Sequence, residues 1–335
     1  MLDHEERPDP PENDAPSKPV VTPDKRELPR RRRGLLIGST VAIALVVIAG
    51  VVLRERIFPE PFSVPTPPHT PGPVPIPGTM ILIPGGKYHM GSNDGFFKQE
   101  EPVHEVEVKS FYLDETEVTV AAYSACVRAG ACQPAPTTVD WEDMVEAHRK
   151  KWAEFCNGDR PDRQDHPVNC IDWLYADTYC KAQGRRLPTE QEWEYVARGG
   201  GEQRKYPWGD ELPSPRLTNL CGPECSVVVN RIRAWGPLYP ESDAWAGTAP
   251  VGSFPAGNSK WGAKDMLGNV QEWLSNPFCP YPEPTCDSTA RDARGSGWLS
   301  NQPHKVRLAR RNSDVIWHRS GDLGVRCAKD AEPPP

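Results

Sequence analysis

The chain has 335 residues, 25% of them charged, and a net charge of −7. This length allows one large domain or two small ones. The acidic balance argues against the dense Lys/Arg surface that nucleic-acid binding requires, so we expect no nucleic-acid partner. The one basic run of the main globular part, residues 305–311, is expected to be the solvated face of a strand.

Residues 1–33 contain seven prolines and no apolar periodicity, and they carry eight acidic and eight basic side chains. A segment of such low hydrophobicity cannot bury enough apolar surface to fold. We therefore predict a disordered cytoplasmic tail. Its basic residues crowd toward its C-terminal end, directly before an apolar stretch.

Residues 34–53 are twenty consecutive residues without a charge. As a helix they would be ~30 Å long, the hydrocarbon thickness of a bilayer. A core helix would show a polar face, and a cleaved signal peptide usually has a shorter apolar region and a small-residue cleavage site. We predict a retained single transmembrane helix. The preceding basic residues place the N-terminus in the cytoplasm and the main domain in the periplasm or outside the cell.

Residues 54–78 form a Pro-rich linker, with nine prolines between positions 57 and 77. Such a segment acts as a semi-rigid polyproline spacer that separates a domain from the membrane surface. A proline-rich ligand for adaptor domains is the alternative. The main domain is expected at residues 79–329, which is long enough to bury a core, and residues 330–335 form a short tail.

All ten cysteines lie within residues 79–329, on the predicted outer side of the membrane. That compartment favours disulfides over thiols. Four pairs are close in sequence and one pair remains: Cys126–Cys132, Cys156–Cys170, Cys221–Cys225, Cys279–Cys286 and Cys180–Cys327. A zinc site is the alternative, but it needs four ligands at finger or ribbon spacing, and no second pair is placed that way.

The first strands of the domain are predicted on both sides of the sequence Pro-Gly-Gly at positions 84–86. Residues 80–83 and 87–90 flank this turn and predict a hairpin. Residues 103–113 alternate between apolar and polar side chains and predict one further strand.

Helices are predicted where a capping residue precedes an apolar pattern. Thr119 can cap a helix that ends at Gly130, and Asp172 can cap one that ends at Gly184. An amphipathic helix is possible within residues 141–156. Residues 199–301 hold Gly, Pro, Asn and Asp every few positions, so we expect mostly turns there.

The most sharply bounded segment is residues 184–200. Thr189 and Glu192 have the spacing of a capping box, and Gly199 is placed to end the helix in a left-handed turn. Trp193, Val196 and Ala197 lie on one face, which must be buried. Regular structure is sparse elsewhere, so the fold class we predict is a loop-rich α+β domain.

Residues 184–195, with the sequence Gly-Arg-Arg-Leu-Pro-Thr-Glu-Gln-Glu-Trp-Glu-Tyr, resemble a signature of the sulfatase-modifying factor family, the formylglycine-generating enzymes. Further stretches resemble that family in the same order: residues 80–92, 117–120, 206–210, 248–251, 265–273 and 323–328. The resemblance covers residues 80–329 and implies a variant of the C-type lectin fold. It also implies a bond between Cys180 and Cys327.

The chain departs from this family where its chemistry is concentrated. Active members carry two cysteines, five residues apart, that bind copper(I) and oxidise a substrate cysteine to formylglycine. Thiolates are the soft ligands that copper(I) selects. Here Ser300 stands near the first position, and His304 or Lys305 near the second, so we predict no copper. A related iron enzyme would need a His-x3-His-x-Glu set, and no histidine of this chain has that spacing.

The resemblance further implies two structural calcium sites. The first would use the side chains of Asn219 and Asp243 and the backbone carbonyls of Leu220 and Trp245. The second would use the side chains of Asp265 and Glu272 and the carbonyls of Gly268 and Val270. Carboxylate and carbonyl oxygens form the hard, flexible cage that calcium prefers. The alternative is that Asp265 and Glu272 only cap turns, and Ala244 replaces the glycine usual in the first site.

The residues favour a membrane-anchored, non-catalytic binding or scaffold protein of the cell envelope, with a protein or glycan partner. The alternative is an enzyme of the family with altered chemistry around Ser300, His304 and His318, although their spacing does not establish a triad. Formylglycine formation by another cysteine is the third possibility, and it requires a free thiol.

Overall fold

The computed structural model describes residues 78–142, 144–232, 234–283 and 285–331. The predicted tail 1–33, the predicted span 34–53 and nearly all of the linker 54–78 lie outside these residues, as does most of the tail 330–335. Among the helices that the structure describes, none has the length and apolar character needed to cross a bilayer. The membrane anchor therefore stays a prediction.

The described residues contain short strands and short helices joined by long loops. The strands are β1 Met80–Ile83, β2 Gly86–Met90, β3 His104–Val108, β4 Phe111–Asp114, β5 Gln271–Pro277, β6 Ala290–Arg294, β7 Asn312–Val315, β8 Leu323–Gly324 and β9 Ala328–Asp330. The α-helices are α1 Val120–Arg128, α2 Glu146–Ala153, α3 Trp173–Ala182, α4 Glu190–Ala197 and α5 Pro223–Val229. The predicted loop-rich α+β class is confirmed.

Three sheets form within the described ranges. One has the strand order β1-β4-β9, one pairs β2 with β3, and the largest has the order β7-β6-β5-β8. All pairs are antiparallel except β5 with β8. Strand β7 lies at an edge of the largest sheet, and within the described residues it pairs with β6 alone.

Helix α4 is bounded as its sequence predicts. The Thr189 hydroxyl accepts a hydrogen bond from the Glu192 N–H at 3.2 Å, and the Glu192 carboxylate accepts one from the Thr189 N–H at 2.8 Å. Trp193, Val196 and Ala197 are fully buried. Gly199 has φ +68°, a left-handed conformation that glycine adopts without steric cost. The capping box and the buried face are both confirmed.

The predicted hairpin at residues 80–90 is wrong. Strand β1 pairs with β4 and strand β2 pairs with β3, so the two predicted partners belong to different sheets. The single strand predicted at residues 103–113 is likewise divided into β3 and β4. Gly85 explains the separation, because a Cβ at this position would lie 2.5 Å from the Val108 carbonyl oxygen. The chain therefore changes sheets at a position where its backbone lies close to the β3–β4 turn.

The prediction for residues 305–311 is also wrong. This run is not a strand, and Val306, Leu308 and Ala309 are buried. Arg311 is buried as well, and its guanidinium pairs with Glu190 at 2.5 Å. Two of its cations, Arg307 and Arg311, pair with the interior carboxylates Glu100 and Glu190, a role that sequence patterning does not distinguish from solvation.

The segment 199–301 contains more regular structure than predicted, since α5, β5 and β6 all lie within it. Helix α5 begins at Pro223, which favours the first helical position.

Five disulfides use all ten cysteines: Cys126–Cys132, Cys156–Cys170, Cys180–Cys327, Cys221–Cys225 and Cys279–Cys286. Every predicted pairing is confirmed. The Cys180–Cys327 bond joins helix α3 to the segment before β9 across 147 positions of sequence.

Candidate functional site

The segment after β6 positions the candidate site. Trp298 is buried, its backbone N–H donates to the Asn269 carbonyl at 2.8 Å, and its indole N–H donates to the Gly321 carbonyl at 2.9 Å. Phe155 packs against the Trp298 ring, with 4.8 Å between the two ring centroids. These contacts fix the backbone so that the next residues, Leu299 and Ser300, line a surface depression.

Two adjoining cavities make up this depression, one of about 400 Å³ and one of about 240 Å³. Together we call them the Trp groove. The larger cavity is lined by three tryptophans, Trp141, Trp152 and Trp235, by polar residues of strand β7, and by the segment 318–322. Both cavities share six lining residues: Trp235, Gln271, Leu299, Arg310, Asn312 and Asp322.

The charged groups of the groove are partly buried. The Arg310 guanidinium lies 4.1 Å from the centre of the Phe97 ring, and its Nη1 has no hydrogen-bond partner in the described residues. Burial lowers the pKa of Arg310. Asp322 accepts hydrogen bonds from Ser320 at 2.7 Å and from Gln271 at 3.1 Å, and burial raises its pKa. The groove thus offers one under-bonded donor and several polar groups beside aromatic surfaces.

The groove also contains Ser300 and Lys305, two of the three residues that the family resemblance places near the copper-ligand positions, whereas the third, His304, does not line it. Ser300 lines the smaller cavity, and its hydroxyl oxygen accepts from the Gly297 N–H at 3.3 Å. Lys305 lines the same cavity. Because every cysteine is in a disulfide, neither position has a thiolate nearby. The donor set does not fit copper(I), which binds soft sulfur ligands.

Ser300, His304 and His318 do not form a triad. The His304 ring packs against the rings of Phe96 and Phe97, 6.2 Å and 5.9 Å away between centroids. His318 pairs instead with Asp314 at 2.9 Å and lines the larger cavity. The three candidates are therefore held by different partners, and only Ser300 and His318 belong to the groove.

The first predicted calcium site lies beside helix α5. Asn219 is buried, and its Oδ1 has no hydrogen-bond partner in the described residues, while its Nδ2 donates to the Gly247 carbonyl. Asp243 accepts from the Trp245 N–H and from the Tyr239 hydroxyl, both at 2.9 Å, and burial raises its pKa. The Tyr239 hydroxyl oxygen in turn accepts from the Leu220 N–H at 3.2 Å.

Two further details of this loop concern cation binding. Ala244 has φ +72°, so alanine keeps the left-handed conformation that glycine would adopt more easily. Glu224 contacts Ser242, and its Oε2 is buried without a hydrogen-bond partner in the described residues. Asn219 and Glu224 each have one buried oxygen without a hydrogen-bond partner in the described residues. Hard cations such as calcium prefer oxygen ligands, so both oxygens fit a hard cation.

The second predicted site has a different environment. The Glu272 carboxylate accepts from Arg326 at 2.8 Å and from the Trp193 indole at 2.8 Å. Asp265 has φ +55° and accepts from the Gly252 N–H at 2.5 Å. The buried guanidinium of Arg326 already supplies positive charge here, so the first site fits calcium better. In the described ranges no three His, Cys, Asp or Glu side chains converge as a metal cluster.

Asn269 connects the two predicted sites, and sequence analysis did not single it out. Its side chain donates to Glu117 at 2.6 Å and accepts from Asn219 at 3.1 Å. Gly268 must precede it, because its φ is +95° and a Cβ would lie 2.1 Å from the Thr218 hydroxyl oxygen. The Gly-Asn dipeptide was the available signal, since both residues tolerate left-handed backbone.

Residues 68–331 match a family model described as the sulfatase-modifying factor enzyme 1-like domain. The chain belongs to the sulfatase-modifying factor family. It is 34% identical to a formylglycine-generating enzyme from Streptomyces coelicolor, over 78% of this chain and 93% of the relative. It is 30% identical to an inactive C-alpha-formylglycine-generating enzyme 2 from Bos taurus, over 76% and 89%.

Among solved structures, PvdO from Pseudomonas aeruginosa matches with a TM-score of 0.56 and 24% identity, over 75% of this chain and 94% of that one. This likeness supports the sulfatase-modifying factor fold and no more.

Proposed function

We propose that this sulfatase-modifying factor domain is a non-catalytic binding module whose Trp groove holds an extended segment of a protein partner. One observation carries the proposal: all ten cysteines are paired, and the groove residue Ser300 stands near the position where, by the family resemblance, active members have the first of two thiols, with His304 or Lys305 near the second. An inactive relative of similar length is known in mammals, which supports a loss of catalysis within the family.

The edge strand β7 favours an extended peptide as the bound group. Asn312, Ser313 and Asp314 line the larger cavity, and their strand pairs with β6 on one side only within the described residues. A peptide can add to such an edge through main-chain hydrogen bonds, while pockets receive alternate side chains. Trp141, Trp152 and Trp235 supply the aromatic surface for those side chains.

The domain is proposed to work in the cell envelope, anchored by residues 34–53 and raised on the Pro-rich linker. Five disulfides support an oxidising compartment, because such bonds persist outside the cytosol. A glycan partner is the second candidate, since tryptophans beside the amide and carboxylate groups of Gln271 and Asp322 also suit a sugar ring.

Calcium is proposed as a structural ion held by Asn219, Asp243 and the carbonyls of Leu220 and Trp245. When bound, it would give the partnerless Asn219 Oδ1 a partner and balance the charge of the buried Asp243 carboxylate. Removal with EDTA should lower the Tm, and millimolar calcium should restore it. Asp243→Asn should abolish this response, whereas Asp210→Asn on the surface should not. The Tm response of Asp265→Asn to EDTA, compared with that of the same Asp210→Asn control, tests the second predicted site. An unchanged Tm after EDTA would contradict the proposal.

The loss of catalysis is tested by chemistry on the purified full chain. Thiol titration after unfolding without reductant should find no free cysteine. A sulfatase-motif peptide incubated with the protein and copper should keep its cysteine unmodified by mass spectrometry. Two reactive thiols, or formylglycine in the peptide, would contradict the loss of catalysis and support formylglycine formation by this protein. Any other covalent change in the peptide would support altered chemistry in the groove.

The binding role is tested by selecting from a random peptide library and from a glycan array on the full chain in detergent. Selected peptides should lose at least about tenfold in affinity with Trp235→Ala. Trp317→Ala is the matched control, because this exposed tryptophan is outside the groove lining. Selection of glycans in place of peptides would favour the second candidate. Ligands indifferent to Trp235 would contradict a role for the groove.

A further inference from the structure

A second cavity lies on the domain, separate from the Trp groove. Its volume is about 340 Å³, and it opens between the end of helix α2, the segment after helix α5 and the loop 246–248. It shares no lining residue with the groove. Four of its lining side chains are cationic, Lys151, Arg160, Arg163 and Arg231, and one is acidic, Glu154. We call it the basic pocket.

The cations of this pocket are only partly neutralised. Arg160 forms two hydrogen bonds with Asp162, at 3.0 Å and 2.9 Å. Arg163 lies 3.7 Å from the same carboxylate, so the two guanidinium groups share one acid. The Lys151 ammonium donates to the Arg231 backbone carbonyl at 3.2 Å. Neither Lys151 nor Arg231 pairs with a carboxylate among the residues that the structure describes.

The floor of the pocket is neutral and held in place by hydrogen bonds. Asn157 donates to the Thr248 hydroxyl at 2.9 Å, and that hydroxyl lies 3.0 Å from His166. Burial and the charge of Arg163 lower the pKa of His166 to about 4, so its ring is uncharged at neutral pH. Burial and the neighbouring Arg160 also lower the pKa of Arg163. A bound anion would relieve this repulsion between the two guanidinium groups.

We propose that the basic pocket binds a small organic molecule bearing a tetrahedral oxyanion, as a phosphate or sulfate ester. Guanidinium groups bind such oxyanions through paired, charge-assisted hydrogen bonds, and an ammonium adds a point charge. The volume lies within the range of pockets that hold small ligands, so it exceeds what a bare oxyanion needs. Phe155, Val228 and Ile232 supply apolar wall for the organic part.

Isothermal titration calorimetry on the full chain in detergent tests this assignment. The probes are inorganic phosphate, inorganic sulfate, glucose 6-phosphate, glucose 6-sulfate and neutral glucose. The esters should bind and glucose should not, and the stronger of the two esters identifies which oxyanion the pocket selects. Lys151→Gln and Arg231→Gln should each weaken ester binding about tenfold, since each removes one charge-assisted contact.

Arg216→Gln is the charge-matched control, because Arg216 is an exposed arginine outside the pocket. It should leave ester affinity unchanged, and all three variants should keep the wild-type Tm. Absence of binding by every anionic probe would overturn the proposal, as would equal ester affinity in the Lys151→Gln/Arg231→Gln double variant. Because the groove and the pocket share no lining residues, failure here leaves the proposed peptide binding untouched.

Discussion

The Arg294 guanidinium is fully buried, and it contacts three carboxylates: Glu190 at 2.5 Å, Asp292 at 2.9 Å and Glu194 at 3.0 Å. Burial alone would raise the pKa of Glu190, but the charges of Arg294 and Arg311 lower it to about 2. Burial and the charge of Glu190 raise the pKa of Asp292. A buried cation thus holds helix α4 against strand β6.

Arg294→Ala is expected to destabilise the domain by about 3–5 kcal/mol, because it leaves buried carboxylates without their cation. Chemical denaturation monitored by tryptophan fluorescence measures this loss. Arg216→Ala is the control, since Arg216 and its partner Glu211 are exposed and such a pair contributes at most about 1 kcal/mol. Equal losses in the two variants would show that burial of the ion pair is irrelevant.

His166 makes stability depend on pH. Burial first, and then the charge of Arg163, lower its pKa from 6.5 to about 4, so the unfolded chain binds a proton more readily than the folded one. Its contribution to stability is therefore complete above pH 6.5 and is lost as the pH falls to 4. His166→Asn should flatten the dependence of unfolding free energy on pH in this window. An unchanged slope would assign the dependence to other groups.

Single residues were the hardest scale to predict. Charged side chains are usually exposed, so the basic run 305–311 was expected to face solvent. Arg311 is instead buried against Glu190, which lies 121 positions away in sequence. No local pattern distinguishes an arginine with a distant interior partner from a solvated one.

At the scale of elements, helix α4 shows how local signals set boundaries. Its cap is satisfied by two residues three positions apart, Thr189 and Glu192, and its buried residues include Trp193. The helix also presents Glu190 and Glu194 to Arg294. The cap therefore positions the carboxylates as well as the apolar face.

Thr189→Ala should lower the free energy of unfolding by about 1–2 kcal/mol, because the Glu192 N–H loses its acceptor. Thr138→Ala is the matched control, since this threonine is exposed in a loop, and we expect a change within about 0.5 kcal/mol. Urea denaturation of both variants checks the difference. Overlapping urea denaturation curves for the two variants would show that the Thr189 cap does not contribute to stability.

Strand pairing at this scale was not predictable. Strands β1 and β2 have about the expected bounds, yet each pairs with a strand more than ten positions downstream. A short turn between two strands favours a hairpin, but pairing is decided by which faces are buried and by the route of the backbone. Here the buried faces and the route of the backbone are both determined by contacts outside the turn.

At the scale of the whole molecule, the Cys180–Cys327 disulfide closes a loop of 147 positions, whereas Cys221–Cys225 spans four. The chain-entropy description assigns about 5 kcal/mol to the first bond and about 2 kcal/mol to the second. Both bonds are buried, so the comparison isolates loop length. The long-range bond is expected to hold helix α3 to the C-terminal segment of the domain.

Removal of each bond by paired Cys→Ala substitution tests this expectation. Loss of Cys180 and Cys327 should lower the unfolding free energy by roughly 3 kcal/mol more than loss of Cys221 and Cys225. Guanidinium denaturation without reductant measures both. The reverse order would mean that local strain or packing, and not loop closure, sets the contribution of these disulfides.

The sequence by itself determined the helix caps, the disulfide partners, the fold family and the absence of cysteine at positions 300, 304 and 305. Each of these depends on residue identity and short spacing, or on motifs that occur in a set order. Only the tertiary structure decided which strands pair, which arginines are buried and which polar side chains surround the Trp groove and the basic pocket. Those outcomes depend on contacts between distant segments, because burial and charge neutralisation are properties of the assembled core.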